Sequence, residues 1–342
     1  MIQQFLAWYN GLTNGLWGSL LLFAMGVVLL IKGGDWFVDS AVSIAKRFRV
    51  PEIIIGATVV SIGTTLPEVM VSATAALNHN GAIAYGNAIG SIICNTALIA
   101  ALTIAIRPAP VNKKAIVTPV LFFFVSAAIY VAAAYGFGRF DRWLGIVMLL
   151  VFAVYMSMTI YNGFKNPVEA HEEDAQENES SSLLKDLIIL IASAALIAVG
   201  ADMLEGSSVA LATMAGIPTE VIGVTVVALC TSLPELVTAV TALLKGHGAL
   251  SLGNIIGANI FNLVLVSGVA VTISPFAIPD GSKLFGYNTS QLFEIPLMVT
   301  VMALMTLPAL FKGKLRRWQG VSLLAIYAAF VTLQVLIAVG VF

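Results

Sequence analysis

Charge is scarce in this sequence. Lys and Arg together number 17 and Asp and Glu 18 among 342 residues, 10% of the chain against 59% hydrophobic residues. A soluble domain keeps roughly a quarter of its residues charged, so water is not the main solvent here. The formal net charge is −1 and no folded segment carries clustered Lys and Arg, which excludes a nucleic-acid surface. Cysteine is nearly absent: Cys94 and Cys230 both fall inside apolar runs, where an isolated thiol behaves as a small buried apolar residue and implies no disulfide framework. Of three histidines, His79 and His247 fall in short loops and His171 in a polar one, all read as solvated. With no Cys/His ligand cluster and no Ser/His or Asp/Asp arrangement at span depth, neither a zinc site nor an enzyme is indicated.

What fills the chain is apolar sequence in lengths that cross a bilayer, which takes roughly 20 residues per helix. The spans are expected near 16–46, 52–77, 82–106, 115–136, 143–163, 184–213, 219–244, 249–273, 291–311 and 318–341. The fold class is therefore an all-α integral membrane protein of about ten transmembrane helices. No basic segment precedes the first run and no small-residue cleavage pattern follows it, so it is not read as a secretion signal.

Basic residues fix the expected orientation. Lys46, Arg47 and Arg49 follow the first span, Arg107, Lys113 and Lys114 the third, Lys165 and Lys185 flank the loop after the fifth, Lys245 follows the seventh, and Lys312, Lys314, Arg316 and Arg317 the ninth. The other side holds Arg139, Arg142 and Lys283. By the positive-inside rule odd-numbered spans end in the cytoplasm, which leaves both termini outside. Lys32 lies within the first span, lining a cavity or reaching a headgroup.

Residues 33–98 lie over 200–265 without a gap, with roughly 27 of about 66 positions identical, a match too long for chance. Pro51 falls on Pro218, Gly56 on Gly223, Pro67 on Pro234, Glu68 on Glu235, Asn87 on Asn254, Gly90 on Gly257 and Asn95 on Asn262. This divides the chain into a first half, 1–164, containing the repeat block 52–106, and a second, 184–342, containing the block 219–273. Between them, residues 165–183 form a polar, acidic stretch without apolar periodicity, read as a cytoplasmic linker. Five spans per half is an odd number, so the second copy enters the membrane from the opposite face. Two inverted five-helix repeats are the plan of secondary transporters, with the substrate site near the midplane.

The first copy reads GATVVSIGTTLPEVMVSATAAL at 56–77 and the second GVTVVALCTSLPELVTAVTALL at 223–244. A mid-span proline leaves a carbonyl one turn earlier without its donor, here Gly63 and Cys230. Such carbonyls beside the hydroxyls of Thr64, Thr65, Thr231 and Ser232, with the carboxylates of Glu68 and Glu235, make an oxygen-rich pocket. Hard cations such as Na+ and Ca2+ prefer these ligands. A carboxylate at mid-membrane depth costs at least about 2.5–3.5 kcal/mol, and two at identical register in opposed halves point to one shared site. A second motif, GNAIGSIICN at 86–95 and GNIIGANIFN at 253–262, carries glycines that let helices approach closely. It also carries Ser91 and Asn95 on one helix face, with Asn262 as the counterpart of Asn95; these amides complete a coordination shell or bond between helices.

These paired blocks resemble the α-repeats of the sodium/calcium exchanger family within the cation/calcium antiporter superfamily, in its compact prokaryotic and archaeal form. The resemblance spans nearly the whole chain. It implies a metal-binding cluster of Ser61, Thr64, Thr65, Glu68, Ser91 and Asn95 from the first half and Ala228, Thr231, Ser232, Glu235 and Asn262 from the second. Ser61 and Ala228 contribute mainly backbone oxygen in that scheme. It implies no catalytic residue and no resident cofactor, with Na+, Ca2+ and the lipid bilayer as partners, a monomer, and a plasma (inner) membrane location. Three residues depart from the family pattern: Cys230 stands for a glycine, Ala258 for a serine and Asn262 for a position that is Asp in relatives. Two carboxylates neutralise one Ca2+ or two Na+, so three Na+ would leave one positive charge and make exchange electrogenic. The competing expectations are an exchanger coupled to H+ or dependent on K+, and an ion channel. The long first and sixth spans, with Asp35 and Asp202, are expected to slide during transport. Those two acids are expected as capping or polar contacts near the cytoplasmic end, and Asp39 and Glu205 as interfacial.

Overall fold

The computed structural model describes residues 11, 15–165, 182–216, 228–279, 283–284, 287–339 and 341. Most of the linker with His171, and the start of the seventh span with Pro218 and Gly223, lie outside the described residues. The chain forms helices α1 (Leu16–Phe48), α2 (Glu52–Leu77), α3 (Gly81–Ile106), α4 (Lys113–Gly136), α5 (Arg142–Lys165) and α6 (Leu183–Met214). There follow α7 (Ala228–Thr231), α8 (Leu233–Leu244), α9 (Gly248–Ile273), α10 (Ser290–Lys312) and α11 (Arg317–Ala338). Among the described residues nine of these are long and apolar enough to cross a membrane, and α7 with α8 makes the described part of the seventh span. The only departures from helix among the described residues that pair as strands are two short ladders, Arg139–Phe140 against Phe276–Ala277 and Lys283–Leu284 against Tyr287–Asn288.

Local sequence explains where helices start and stop. Arg49 adopts a left-handed conformation (φ 52°) and Pro51 follows, which ends α1 behind Lys46 and Arg47, cations suited to a helix C-terminus. The Asn80 side chain accepts from the Ile83 amide at 3.3 Å to cap α3, and Asn112 accepts from the Lys114 amide at 3.1 Å to cap α4.

Apolar side chains face outward as well as inward. Trp17, Met70, Leu150, Ile191 and Phe311 are exposed, as befits a lipid-facing surface. In lipid there is no hydrophobic drive between helices, so close van der Waals fit must hold them. Glycine supplies it between α1 and α6: a Cβ on Gly26 would come within 2.9 Å of the Gly200 carbonyl oxygen, and one on Gly33 within 2.9 Å of the Ile197 side chain. Ser43 donates to Asp186 at 2.9 Å further along. These contacts fall in opposite order along the two helices, which are therefore antiparallel. The same device brings α2 against α9, where a Cβ on Gly56, Gly253 or Gly257 would strike the facing backbone or the Ser61 hydroxyl.

The bundle has two distinct ends. At one, the loop after α3 meets the loop after α10 through Val111 N–H to Gly313 O (2.9 Å) and Lys113 Nζ to Phe311 O (2.6 Å), and Arg47 lies 3.8 Å from Asp186. At the other, Arg139–Phe140 pairs with Phe276–Ala277, and His79 contacts Ser274 at 3.1 Å. Most Lys and Arg flanking the spans gather at the first, basic, end.

Candidate metal site

Glu68 and Glu235 each follow a proline, yet the two prolines act differently. Helix α2 runs unbroken through Pro67, with a π-helical turn upstream at Gly56–Val60. In the second half the backbone breaks at Ser232 (φ −96°, ψ 11°), and Pro234 enters the first turn of α8, where its missing N–H leaves nothing unsatisfied. The expectation of two equivalent mid-helix prolines is corrected on this point. Both carboxylates are still fully enclosed, Glu68 at 1% exposure and Glu235 at 0%, and each lies within the other's field.

A hydrogen-bonded frame surrounds them. Thr65 donates to Glu235 Oε1 at 3.3 Å, joining α2 to α8. Asn254 on α9 gathers hydroxyls from α2: Thr64 donates to its Oδ1 at 3.3 Å, and Ser61 to its backbone oxygen at 3.0 Å. Ser61 also reaches the Gly56 carbonyl at 2.8 Å. The Asn254 amide donates to Thr238 at 2.9 Å, and Thr238 donates to the Pro234 carbonyl at 2.8 Å. Across the molecule Asn87, the repeat counterpart, donates to the Glu68 backbone oxygen at 3.0 Å and to Ser72 at 2.8 Å.

Inside this frame stand polar atoms that are buried and have no partner: both carboxylate oxygens of Glu68, Oε2 of Glu235, the hydroxyls of Ser91 and Ser232, and the whole amides of Asn95 and Asn262. Buried polar groups are nearly always satisfied, and so many in one place need an explanation. Asn259, one turn from Asn262, donates its amide nitrogen to Thr96 at 2.7 Å and leaves its Oδ1 unpartnered. Asn95 and Asn262 each open a π-helical turn, Asn95–Ala100 in α3 and Asn262–Val266 in α9, a distortion frequent at functional sites. The turn at Asn95 packs on α8 and the turn at Asn262 on α2, the two helices that carry the acids. Ala228 begins α7, with its side chain outside the described residues.

A cavity of about 120 Å³ reaches Glu68 from the end opposite the basic one, bounded by Val71, Thr231, Cys230, Asp202 and Glu205. At the mirrored position in the first half the helices pack tightly. Gly34 is packed by Val237 and Thr241, and Val38 is 1% exposed. Lys245 ties down Asp39 at 2.8 Å and Asp35 at 3.5 Å. Asp35 and Asp39 thus make polar contacts with the end of α8, whereas Asp202 and Glu205 stand on the C-terminal part of α6, away from the basic end and on the wall of the cavity. The expected placement of Asp202 near the same end as the basic residues is corrected accordingly. Sequence reasoning also passed over Asn254 as the hub of the frame; its identity with Asn87 in the repeat was the available signal.

Nine apolar helices long enough to cross a membrane, with enclosed oxygens that lack protein partners among the described residues, define a polytopic membrane protein with a polar cluster in its interior. The chain belongs to the sodium/calcium exchanger protein family, whose pattern it matches over residues 18–161 and 185–336. It is 31% identical to the sodium/calcium exchanger MaX1 of Methanosarcina acetivorans, over 91% of this chain and 97% of that protein. It is 35% identical to an uncharacterised membrane protein of Methanocaldococcus jannaschii, over 89% of this chain and 94% of the relative. A structure of the sodium-calcium exchanger NCX_Mj, soaked with Na+ and Sr2+, superposes with a TM-score of 0.76 at 33% identity, covering 92% of this chain and 98% of that one.

Proposed function

We propose that this chain is a secondary active antiporter of the plasma membrane that exchanges Na+ for Ca2+ by alternating access at one shared site. The observation that carries the reading is the set of enclosed, unpartnered oxygens on Glu68, Glu235, Asn95, Asn262, Ser91 and Ser232. An ionised carboxylate left bare in low dielectric costs several kcal/mol, and a bound hard cation removes that cost while satisfying carboxylate, amide and hydroxyl oxygens together. Thr64, Thr65, Thr231, Ser61 and Ala228 complete the site, the last two through backbone oxygen. Na+ and Ca2+ compete for these oxygens as cargo. An empty site keeps two acids uncompensated and resists the conformational switch, so ions exchange instead of leaking.

The repeats act as two inverted halves joined by the cytoplasmic linker, with both termini outside and the chain working as a monomer. The cavity on the side away from the basic end, with tight packing around Gly34 and Val38 at its mirror position, supports a state accessible from outside. The long, glycine-packed pair α1 and α6 slides across the remaining helices to reverse that access.

The test is Ca2+ counterflow in proteoliposomes with Na+, K+ and H+ gradients imposed one at a time. Uptake is expected under the Na+ gradient. Uptake driven by the H+ gradient alone establishes proton coupling instead, and current under one-sided conditions without a counter-ion establishes a channel.

A further inference from the structure

The two asparagines that the repeat aligns, Asn87 on α3 and Asn254 on α9, are anchored alike and used differently. Each holds its amide nitrogen within its own half. Asn87 donates to the Glu68 carbonyl at 3.0 Å and to Ser72 at 2.8 Å on α2, and Asn254 donates to Thr238 at 2.9 Å on α8. A carbonyl only accepts, and Thr238 donates its own proton to the Pro234 carbonyl, so nitrogen and oxygen are not interchangeable in either amide.

The amide oxygens differ. Asn254 Oδ1 is capped across the halves, by Thr64 at 3.3 Å and Ser61 at 3.4 Å from α2. Asn87 Oδ1 is enclosed and accepts from no group, a costly state for a buried oxygen. By the repeat its donors would come from α7, which packs on α3, at Thr231 and Ala228, the counterparts of Thr64 and Ser61. Thr231 has another partner here, and alanine has no hydroxyl. The cross-half bond is thus made once, and it is missing on the side where the cavity is bounded by Glu68 and Thr231.

Two halves related by an axis in the membrane plane give, on trading conformations, the same molecule open to the opposite side. Resting on the exchange reading of the Glu68 site, we infer that Asn87 and Asn254 are positioning residues that take turns: the asparagine whose oxygen is capped holds its side shut. Reversal of access passes the cap from one to the other. As α7 closes on α3, Thr231 exchanges its present partner for Asn87 Oδ1, and Thr64 leaves Asn254 Oδ1. Both asparagines act through these threonines of the cation site. The trade is uneven, because Ser61 gives the first half a second hydroxyl that Ala228 does not match, and this favours the state with the cavity open.

The experiment measures initial rates of labelled Ca2+ uptake against Ca2+ concentration in right-side-out and inside-out vesicles. A conformer that is only partly populated lowers apparent affinity by its fraction, so the ratio of KM on the cavity face to KM on the opposite face follows the balance between the two states. Asn254→Ala removes the acceptor used in the cavity-open state and is expected to raise the ratio roughly three- to tenfold; Asn87→Ala removes the acceptor needed in the other state and lowers it by a similar factor. Ser61→Ala and Ala228→Ser each raise the ratio roughly two- to threefold, and they carry the test if an asparagine variant does not fold. A merely structural role moves both asparagine variants the same way. Ratios that shift in one direction for Asn87→Ala and Asn254→Ala, ratios that stay at the wild-type value, or a fall in maximal rate alone overturn the alternating caps. Glu68→Gln, run in parallel, separates the two readings. If it transports normally, the underlying site assignment fails. If it is inactive while the asparagine and hydroxyl variants leave the ratio unchanged, only the caps fail.

Discussion

The two halves share a motif and differ in what surrounds it. In the first, α2 passes through Pro67 without interruption, and the long helix α1 is pinned by Lys245 through Asp35 and Asp39. In the second, the chain breaks at Ser232 before Pro234, and the long helix α6 presents Asp202 and Glu205 to a cavity. The two enclosed acids are matched across the repeat, and the charged groups on the long helices beside them are not. Under the proposed exchange, symmetry belongs to the binding step and asymmetry to the conformational state of the molecule.

The largest test of that division is at the matched acids. Glu68→Gln and Glu235→Gln should each reduce Na+-driven Ca2+ uptake by at least about a hundredfold, since either leaves the remaining charge without its counterpart around a divalent ion. Both proteins should still elute as folded species from a sizing column. Strong uptake by one variant and none by the other would break the equivalence of the halves.

A smaller effect is expected at the frame. Asn254→Ala removes the shorter of the Thr64 hydroxyl's two contacts, leaving the Ser61 carbonyl at 3.5 Å, and removes the donor to Thr238, both groups being buried. A loss of about 1–3 kcal/mol per stranded buried group predicts a lower melting temperature in detergent. Asn87→Ala, at the matching site, removes donors to the Glu68 carbonyl and Ser72, so the two melting curves measure how evenly the halves share the load.

The smallest expected change in stability is at the tie. Lys245→Ala should alter stability by no more than about 1 kcal/mol, as partly exposed ion pairs do. Its consequence should appear locally, as faster amide hydrogen exchange around Asp35 with no change around Asp202. Equal acceleration in both places would mean that the ion pair does not distinguish the halves.

Sequence alone exposed the doubled motif because the residues themselves recur: Pro67 with Pro234, Glu68 with Glu235, Asn95 with Asn262. The helical membrane class was equally legible, since apolar length reports a span without knowledge of its neighbours. The different fates of the two prolines were not. Gly63 packs against Phe37 where Cys230 borders the cavity, and whether a helix survives a proline depends on such surroundings. The depth of Asp202 and Glu205 was hidden for a related reason. A helix of 32 residues exceeds the bilayer, and its tilt and overhang are set by packing that a linear sequence does not display. Asn254 read as one more polar group in a glycine-rich helix until its three-dimensional neighbours converged on it.

The clasp of α1 and α6 has a mechanical corollary. Gly26 and Gly33 on one helix and Gly200 on the other bring the two helices into close contact over about two turns, with Leu29, Ile197 and Leu204 packed directly onto the glycines. Two rods joined so closely are expected to move as one stiff strut. Under the proposed exchange, a strut that slides as a unit would close the passage on one side as it opens the other, coupling the two without a separate latch.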